Sequence, residues 1–382
     1  MTKIYLDHAA TTPMRPAVRK RLHQLFGIDG VWANSSSKHS AGAEASAIVE
    51  HARSRIAALI EAKTNEIYFT GSATESNNWL LATAREFDLV TAVLSTEHSS
   101  LLAPLQLDSR NVLIPVDRDG QIQISALESI LQKGTIGLVS VGLVNNEIGT
   151  IQDLERVATL CRKHRALLHT DAAQALGHAV VSVEKLGVDY MTLSSHKAGG
   201  PKGVAALYAR SGSPLRPLLI GGGHERGLRS GTVAVELIDS FALAAESALK
   251  TTSLSSLREH LIKRLHALDA MFGLDISING PSDTNWSSPH IVSLTIPSVH
   301  STTFVEDLNR KGVLCSAGAA CKASNPSGAK DNPVLVAMGR DSDRAHHIRL
   351  SIGHTTSMSE IDIAIERLEE CLIGFGKVAR TK

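Results

Sequence analysis

Lys197 closes an apolar run, Tyr190-Met191-Thr192-Leu193, extended by Ser194-Ser195-His196, and Gly200-Pro201-Lys202-Gly203 follows it. A second apolar run, Ala166-Leu167-Leu168-His169-Thr170, delivers Asp171 and, three residues later, Gln174. One strand ending in a carboxylate and another ending in a lysine suit a pyridine-aldehyde cofactor. The carboxylate pairs with the ring nitrogen, and the amine forms a Schiff base with the aldehyde. Farther upstream, Thr70-Gly71-Ser72-Ala73-Thr74-Glu75 reads as a strand end, a glycine turn and a helix start. Free backbone N–H groups and the helix dipole make such a start a seat for phosphate, with the Thr74 hydroxyl as a further donor.

These residues need a scaffold of strands that end together. Short apolar or β-branched runs at 66–70, 90–95, 112–116, 137–144, 166–170, 190–193 and 204–208 alternate with helical patterns. That rhythm predicts an α/β domain with a mostly parallel seven-stranded sheet. Ahead of the first strand, Ile48, Ala52, Ile56 and Leu59 recur at helical spacing as one buried stripe. From about residue 253 the pattern changes to helical repeats around 257–268 and strand candidates at 275–278, 291–296, 313–315 and 348–352. The last helix opens on Ser357-x-x-Glu360, a capping box, and carries Ile361, Ile365, Leu368 and Leu372 on one face. The expected division is a large α/β domain over 16–252 and a smaller α+β domain over 1–15 and 253–382.

The chain has 382 residues, 43% hydrophobic and 20% charged, an ordinary soluble globular balance. A net charge of +1 gives no bulk field for nucleic acid or an anionic membrane, so direct binding to either is not expected. The N-terminus runs into Ile4-Tyr5-Leu6-Asp7 without an apolar signal core, and the four cysteines, Cys161, Cys315, Cys321 and Cys371, form no disulfide framework or zinc pattern. A reduced, cytoplasmic protein without a metal site is expected.

Taken together, the motifs resemble fold-type I pyridoxal 5'-phosphate (PLP) enzymes and, more narrowly, the cysteine desulfurase family of class V aminotransferase-like proteins, the NifS and IscS type. The resemblance spans nearly the whole chain. It runs through Tyr5-Leu6-Asp7-His8-Ala9-Ala10-Thr11-Thr12, Ala73-Thr74-Glu75-Ser76-Asn77-Asn78, Thr96-Glu97-His98 and Val144-Asn145-Asn146-Glu147-Ile148-Gly149. It continues through His169-x-Asp171-x-x-Gln174, Ser194-x-His196-Lys197, Gly221-Gly222-Gly223-His224-Glu225-Arg226-Gly227, Arg229-Ser230-Gly231-Thr232, Cys321 and Ile348-Arg349-Leu350-Ser351-Ile352-Gly353.

The resemblance implies a role for each matching position. Lys197 is the Schiff-base lysine and shuttles the Cα proton once released. Asp171 holds the pyridine nitrogen protonated, a charge-assisted hydrogen bond worth about 1.5–3 kcal/mol. Gln174 bonds the phenolic oxygen, and His98 stacks on the ring and moves protons near the sulfur. Ala73, Thr74, Ser194 and His196 bind the phosphate, and Thr232 completes that site from the second subunit of a homodimer. Asn146 and Arg349 hold the substrate carboxylate, a task that suits arginine's planar fork. His224 and Glu225 match the family motif without a derivable role, and His346 and His347 read as structural.

Cys321 narrows the reaction. It matches the position of the persulfide-forming cysteine, and the polar segment 323–332 after it would let the thiol swing from cofactor to sulfur acceptor. The adjacent Lys322 is a candidate for lowering the thiol pKa from its usual ~8.5. Cys161 and Cys371 fit helical cores, while Cys315 is either core or a second thiol near the site. Ser316-Ala317-Gly318-Ala319-Ala320 carries methyl groups where relatives carry two hydroxyls, and Gly71-Ser72 exchanges the usual order of the phosphate turn. Ala33-Asn34-Ser35-Ser36-Ser37 likewise replaces the typical Gly-Asn-Pro-Ser-Ser.

The implied activity is conversion of L-cysteine to L-alanine with a Cys321 persulfide passed to an acceptor protein. Iron–sulfur assembly, tRNA or cofactor thiolation and DNA phosphorothioation all remain open as destinations. The chain stops soon after its last helix, without the tail that IscS-type members use to dock an iron–sulfur scaffold, which leaves delivery to that scaffold open. A selenocysteine lyase, a class V aminotransferase and a non-catalytic subunit of a sulfur-transfer complex are the alternatives.

Overall fold

The computed structural model describes residues 2–250, 253–318, 332–340 and 345–374. Among these, twelve strands form: β1 (Ile4–Tyr5), β2 (Ile67–Thr70), β3 (Val90–Leu94), β4 (Val112–Ile114), β5 (Ile136–Ser140), β6 (Leu167–Asp171), β7 (Tyr190–Ser194), β8 (Ala205–Ala209), β9 (Ser277–Asn279), β10 (Ile291–Thr295), β11 (Val313–Leu314) and β12 (His347–Ser351). Seven make one sheet in the order β2-β8-β7-β6-β5-β3-β4. Its β3/β4, β3/β5, β5/β6 and β6/β7 pairs are parallel, and β8 runs antiparallel to both of its neighbours. The expected mostly parallel seven-stranded sheet is therefore present.

Parallel strands are buried on both faces, which is why they read as unbroken apolar runs. One face packs on the helices Ser40–Leu59 and Val235–Leu249, through Ala45, Val49, Ala52 and Ile56 against Ile238, Phe241, Ala242 and Ala245. The expected stripe on the first of these helices is rotated slightly, since Ala45 and Val49 are buried while Ile48 and Leu59 are only partly so. The other face is covered by Leu80, Leu81 and Ala84 of the helix Ala73–Glu86 and by Leu101 and Leu105 of the helix Ser99–Leu105.

A second core gathers Ile4, Leu6, Leu261, Leu265, Val292, Leu294, Phe304, Ile348, Leu350, Ile361, Ile365 and Leu368. Its sheet is antiparallel, β12-β10-β9, and β1 pairs in parallel with β11. The two-residue β1 is too short to leave a sequence pattern. The capping box forms as expected, with Glu360 Oε2 accepting from the Ser357 N–H at 2.8 Å at the start of the helix Met358–Gly374. The short helix Pro333–Ala337 belongs to the larger core instead, through Val334 and Leu335, although it lies within the C-terminal part of the chain. No helix among the described residues is long and apolar enough to cross a membrane.

Candidate active site

In open parallel sheets, ligand sites collect beyond the carboxyl ends of the strands. Here the ends of β2, β3, β5, β6 and β7 deliver Ala73 and Thr74, His98, Asn146, Asp171, and Ser194 through Lys197, respectively. The β6/β7 register sets Asp171 opposite Thr192, so the carboxylate and the lysine leave neighbouring strands at the same edge.

The turn carrying Lys197 is tight. The N–H groups of Ala198 and Gly200 both donate to the Ser195 carbonyl at 3.0 Å. A Cβ on Gly200 would meet Ser195 Oγ at 2.2 Å, so only glycine lets this turn close. Lys197 is half-buried, and its Nζ donates to the carbonyls of Ala9 and, at 2.7 Å, Ala10. Gln174 is buried, with Nε2 donating to the same Ala9 carbonyl at 2.8 Å and Oε1 lying 3.2 Å from His290 Nε2. Neither Ala9 nor His290 was foreseeable as a partner. Ala9 belongs to a matched motif but contributes through its backbone, and His290 lies in no motif.

Asp171 accepts from the Ala173 N–H at 2.9 Å and from Asn77 Nδ2 at 2.7 Å. His98 caps the helix Ser99–Leu105, its Nδ1 accepting from the Ser100 N–H at 3.1 Å. Burial pushes His98 below the ordinary histidine pKa; Asp171 opposes that shift and Lys197 reinforces it. Glu97, one residue earlier, is buried and accepts from the Gly142 N–H. A Cβ on Gly142 would meet Glu97 Oε2 at 2.9 Å, so glycine makes room for the carboxyl. Burial pushes Glu97 up to about 8, with the Gly142 bond opposing and Asp171 adding to the shift.

The turn before the helix Ala73–Glu86 closes despite its exchanged residues. Ser72 is the N-cap, its Oγ accepting from the Glu75 N–H at 3.1 Å, and the Gly71 N–H donates to Glu75 Oε2 at 2.8 Å. The first N–H groups of a helix have no acceptor within it, which leaves those of Ala73 and Thr74 to a ligand. Ser194 is buried at the end of β7, and His196 Nδ1 lies 3.1 Å from Thr11 Oγ1. Burial, then Lys197 and Lys202, push His196 down to about 4. Thr232 is exposed, and no hydrogen bond or ion pair among the described residues links it to this group. Arg229, three residues before it, pairs with Glu75 at 2.7 Å.

Arg349 is buried in the middle of β12. It donates to the Asn146 carbonyl at 3.0 Å and to Glu147 Oε1 at 2.7 Å, and it reaches Asp7 Oδ1 at 3.0 Å. Asn146 and Arg349, both expected to hold the substrate carboxylate, are thus in contact through the Asn146 carbonyl, and two carboxylates join them. Both acids lie in the matched motifs, yet only the fold reveals their target. The Glu225 left without a role binds buried Arg53 at 2.7 and 2.8 Å and accepts from the Phe69 N–H, a structural tie to β2. Cys321, Lys322 and the polar segment up to 331 lie outside the described residues.

The donor set fits PLP. A carboxylate suits the pyridine nitrogen, an amine suits the aldehyde, and a helix N-terminus at the same sheet end as Ser194 and His196 suits the phosphate. Residues 4–363 match the family model for aminotransferase class-V proteins. The chain is 37% identical to a mitosomal cysteine desulfurase of Encephalitozoon cuniculi over 97% of its length and 87% of the relative's. It is 35% identical to the cysteine desulfurase IscS of Vibrio campbellii, over 96% of this chain and 91% of that one. A solved NifS-like protein superposes with a TM-score of 0.88 at 33% identity, covering 98% of this chain and 100% of the other.

Proposed function

The chain belongs to the aminotransferase class-V family, and from that premise we propose that it is a PLP-dependent cysteine desulfurase. It converts L-cysteine to L-alanine and leaves the sulfur as a persulfide on Cys321. The observation that carries this reading is the convergence of Asp171, Lys197 and the Ala73 helix start at one sheet edge, with Arg349 facing the same region through Asn146. PLP, when bound, supplies an electron sink that weakens the bonds at the substrate's Cα.

The chain's own residues do the rest. Asp171 would hold the ring nitrogen, Gln174 the phenolic oxygen, and Ala73, Thr74, Ser194 and His196 the phosphate. Arg349 and Asn146 bind the substrate carboxylate, which fixes the Cα–H bond near Lys197 Nζ, the group that takes and returns that proton. His98 would stack on the ring. The Cys321 thiolate would then attack the substrate sulfur: the S–S bond forms, the C–S bond breaks with its electron pair left on the substrate's Cβ, Cβ takes up a proton, and alanine leaves. Ser316, five residues before Cys321, exchanges backbone hydrogen bonds with Arg349, which supports delivery of the thiol to the bound substrate.

The proposal includes a homodimer in which Thr232 of a second copy completes the phosphate site. Exposed Ile28, Trp32 and Ile220 support a covering partner. It also includes a sulfur-acceptor protein and a reducing, cytoplasmic setting, which the free Cys161, Cys315 and Cys371 support. The separate cores support the division into residues 16–252 and 1–15 with 253–382, apart from the helix Pro333–Ala337, which packs in the larger core. The test is Cys321→Ala, which should keep the cofactor's visible absorbance and lose alanine production from cysteine. Lys197→Ala should instead lose the lysine-dependent absorbance. Undiminished turnover in Cys321→Ala would overturn the nucleophile assignment.

A further inference from the structure

A line of hydrogen bonds joins Asp171 to His98 through two side chains that the reaction does not use. Asn77 is fully buried in the helix Ala73–Glu86. Its Nδ2 carries two protons and can only donate. One proton meets Asp171 Oδ2 at 2.7 Å and the other meets Ser100 Oγ at 2.9 Å. The reverse orientation of the amide would set its oxygen against a carboxylate, so the direction is fixed by charge.

Ser100 continues the line. Its Oγ lies 2.8 Å from His98 Nδ1, and its backbone N–H donates to the same nitrogen at 3.1 Å. A backbone N–H cannot accept, so Nδ1 must present a lone pair. The neutral imidazole then carries its proton on Nε2. Because the Ser100 hydroxyl already accepts from Asn77, its own proton is left to turn toward Nδ1. Every proton on the line has one direction.

We propose that Asn77 and Ser100 are positioning residues that hold His98 as the neutral Nε2–H tautomer and tie its ring to the Asp171 carboxylate. The consequence is a division of labour. His98 offers a hydrogen-bond donor at Nε2, and a proton added at Nδ1 would face the Ser100 N–H head-on. Proton acceptance at the substrate's Cα therefore falls to Lys197. This inference rests on the assignment of Asp171 and His98 to the cofactor face, but its test does not depend on turnover.

The test is nitrogen NMR of the full chain with 15N-labelled histidine, first without and then with PLP. The His98 signal is identified by its loss in His98→Gln. The expected spectrum is the Nε2–H tautomer, unchanged between about pH 8 and pH 6. An Nδ1–H tautomer, or a doubly protonated ring in that range, overturns the proposal. Ser100→Ala and Asn77→Leu break the line at different points. Each should raise the Nδ1–H or doubly protonated population about fivefold, the loss expected for one neutral hydrogen bond. If both variants fold and leave the His98 signal unchanged, the backbone N–H alone sets the tautomer and the positioning role is wrong. Loss of desulfurase activity with the native signal as expected would instead count against the proposed function alone.

Discussion

Asp7 Oδ1 lies 3.0 Å from Arg349 Nη2, across 342 positions of sequence, and Glu147 Oε1 holds Nη1 of the same guanidinium at 2.7 Å. Three distant segments therefore meet on one buried cation. The two acids are not equivalent, since the Asp7 side chain is 21% exposed and that of Glu147 is 1% exposed. On the role proposed for Arg349, an incoming substrate carboxylate would compete more readily with Asp7. The same segment places Ala9 under Lys197 and Gln174, so the arginine, the lysine and the glutamine share one N-terminal strap.

Removing Arg349 should cost stability as well as binding. Arg349→Ala leaves Glu147 buried without its counter-charge, and breaking such a pair costs about 3–5 kcal/mol. Urea unfolding of the variant should show a loss of that order. A loss below about 1 kcal/mol would mean that the pair is not buried as described.

Asp7→Asn tests the competition directly. It keeps an oxygen that can accept from Arg349 but removes one negative charge from the place proposed for the substrate carboxylate. The KM for cysteine should fall several-fold, measured from initial rates of alanine formation. A rise in KM would assign Asp7 to orienting Arg349 for the substrate and would reject competition.

The sheet and the strand-end residues were legible for a physical reason. Buried parallel strands are continuous apolar runs, and the chain turns polar where Asp171 and Lys197 leave them. The contacts among polar side chains were not legible. Asn77 and Asp171 are 94 residues apart, and Glu97 meets Gly142 across 45, with no local pattern to announce either meeting. Asp7 reads as part of a motif, but its bond to Arg349 depends on how β1 and β12 are brought together. Side-chain register between distant segments is set by packing, and periodicity carries no information about it.

Glu97 gives the protein an unusual stability profile. Its carboxyl titrates near 4.5 when exposed and at about 8 when folded, because burial disfavours the charge. Between those values the unfolded chain sheds this proton and the folded chain keeps it, so its contribution to stability falls as pH rises. Glu97→Gln removes the effect while retaining an acceptor for the Gly142 N–H. The urea midpoint of the variant should gain on the wild type from about pH 5 to about pH 8 and then level off. A difference of equal size at both ends of that range would show that Glu97 does not titrate in it.

Buried histidines act at the opposite end. Burial pushes His8 and His347 down to about 3 and His169 and His178 down to about 4, from an ordinary 6.5. Below 6.5 the unfolded chain takes up protons that the folded chain refuses, so stability is lost as pH falls. His178 stacks on His290 with ring centroids 3.8 Å apart, and His290 contacts Gln174 at 3.2 Å. The urea midpoint should therefore drop steeply between about pH 6.5 and pH 5, and His178→Asn should flatten the slope. An unchanged slope in that variant would remove His178 from the account.

Cys315 and Cys321 should behave as different chemical species. Cys315 follows β11 and packs against the second core, and burial, with Asp7 adding to it, pushes its thiol up to about 12 while Arg349 opposes the shift. At neutral pH it is protonated, and a thiol is a far weaker nucleophile than a thiolate. Cys315→Ala should therefore keep alanine production within about twofold of the wild type, whereas Cys321→Ala should abolish it. Brief alkylation at about pH 7.5, mapped by peptide mass spectrometry, should modify Cys321 and spare Cys315, because reactivity follows the thiolate fraction. Rapid alkylation of Cys315, or loss of turnover in Cys315→Ala with an unchanged urea midpoint, would place a second working thiol beside Arg349.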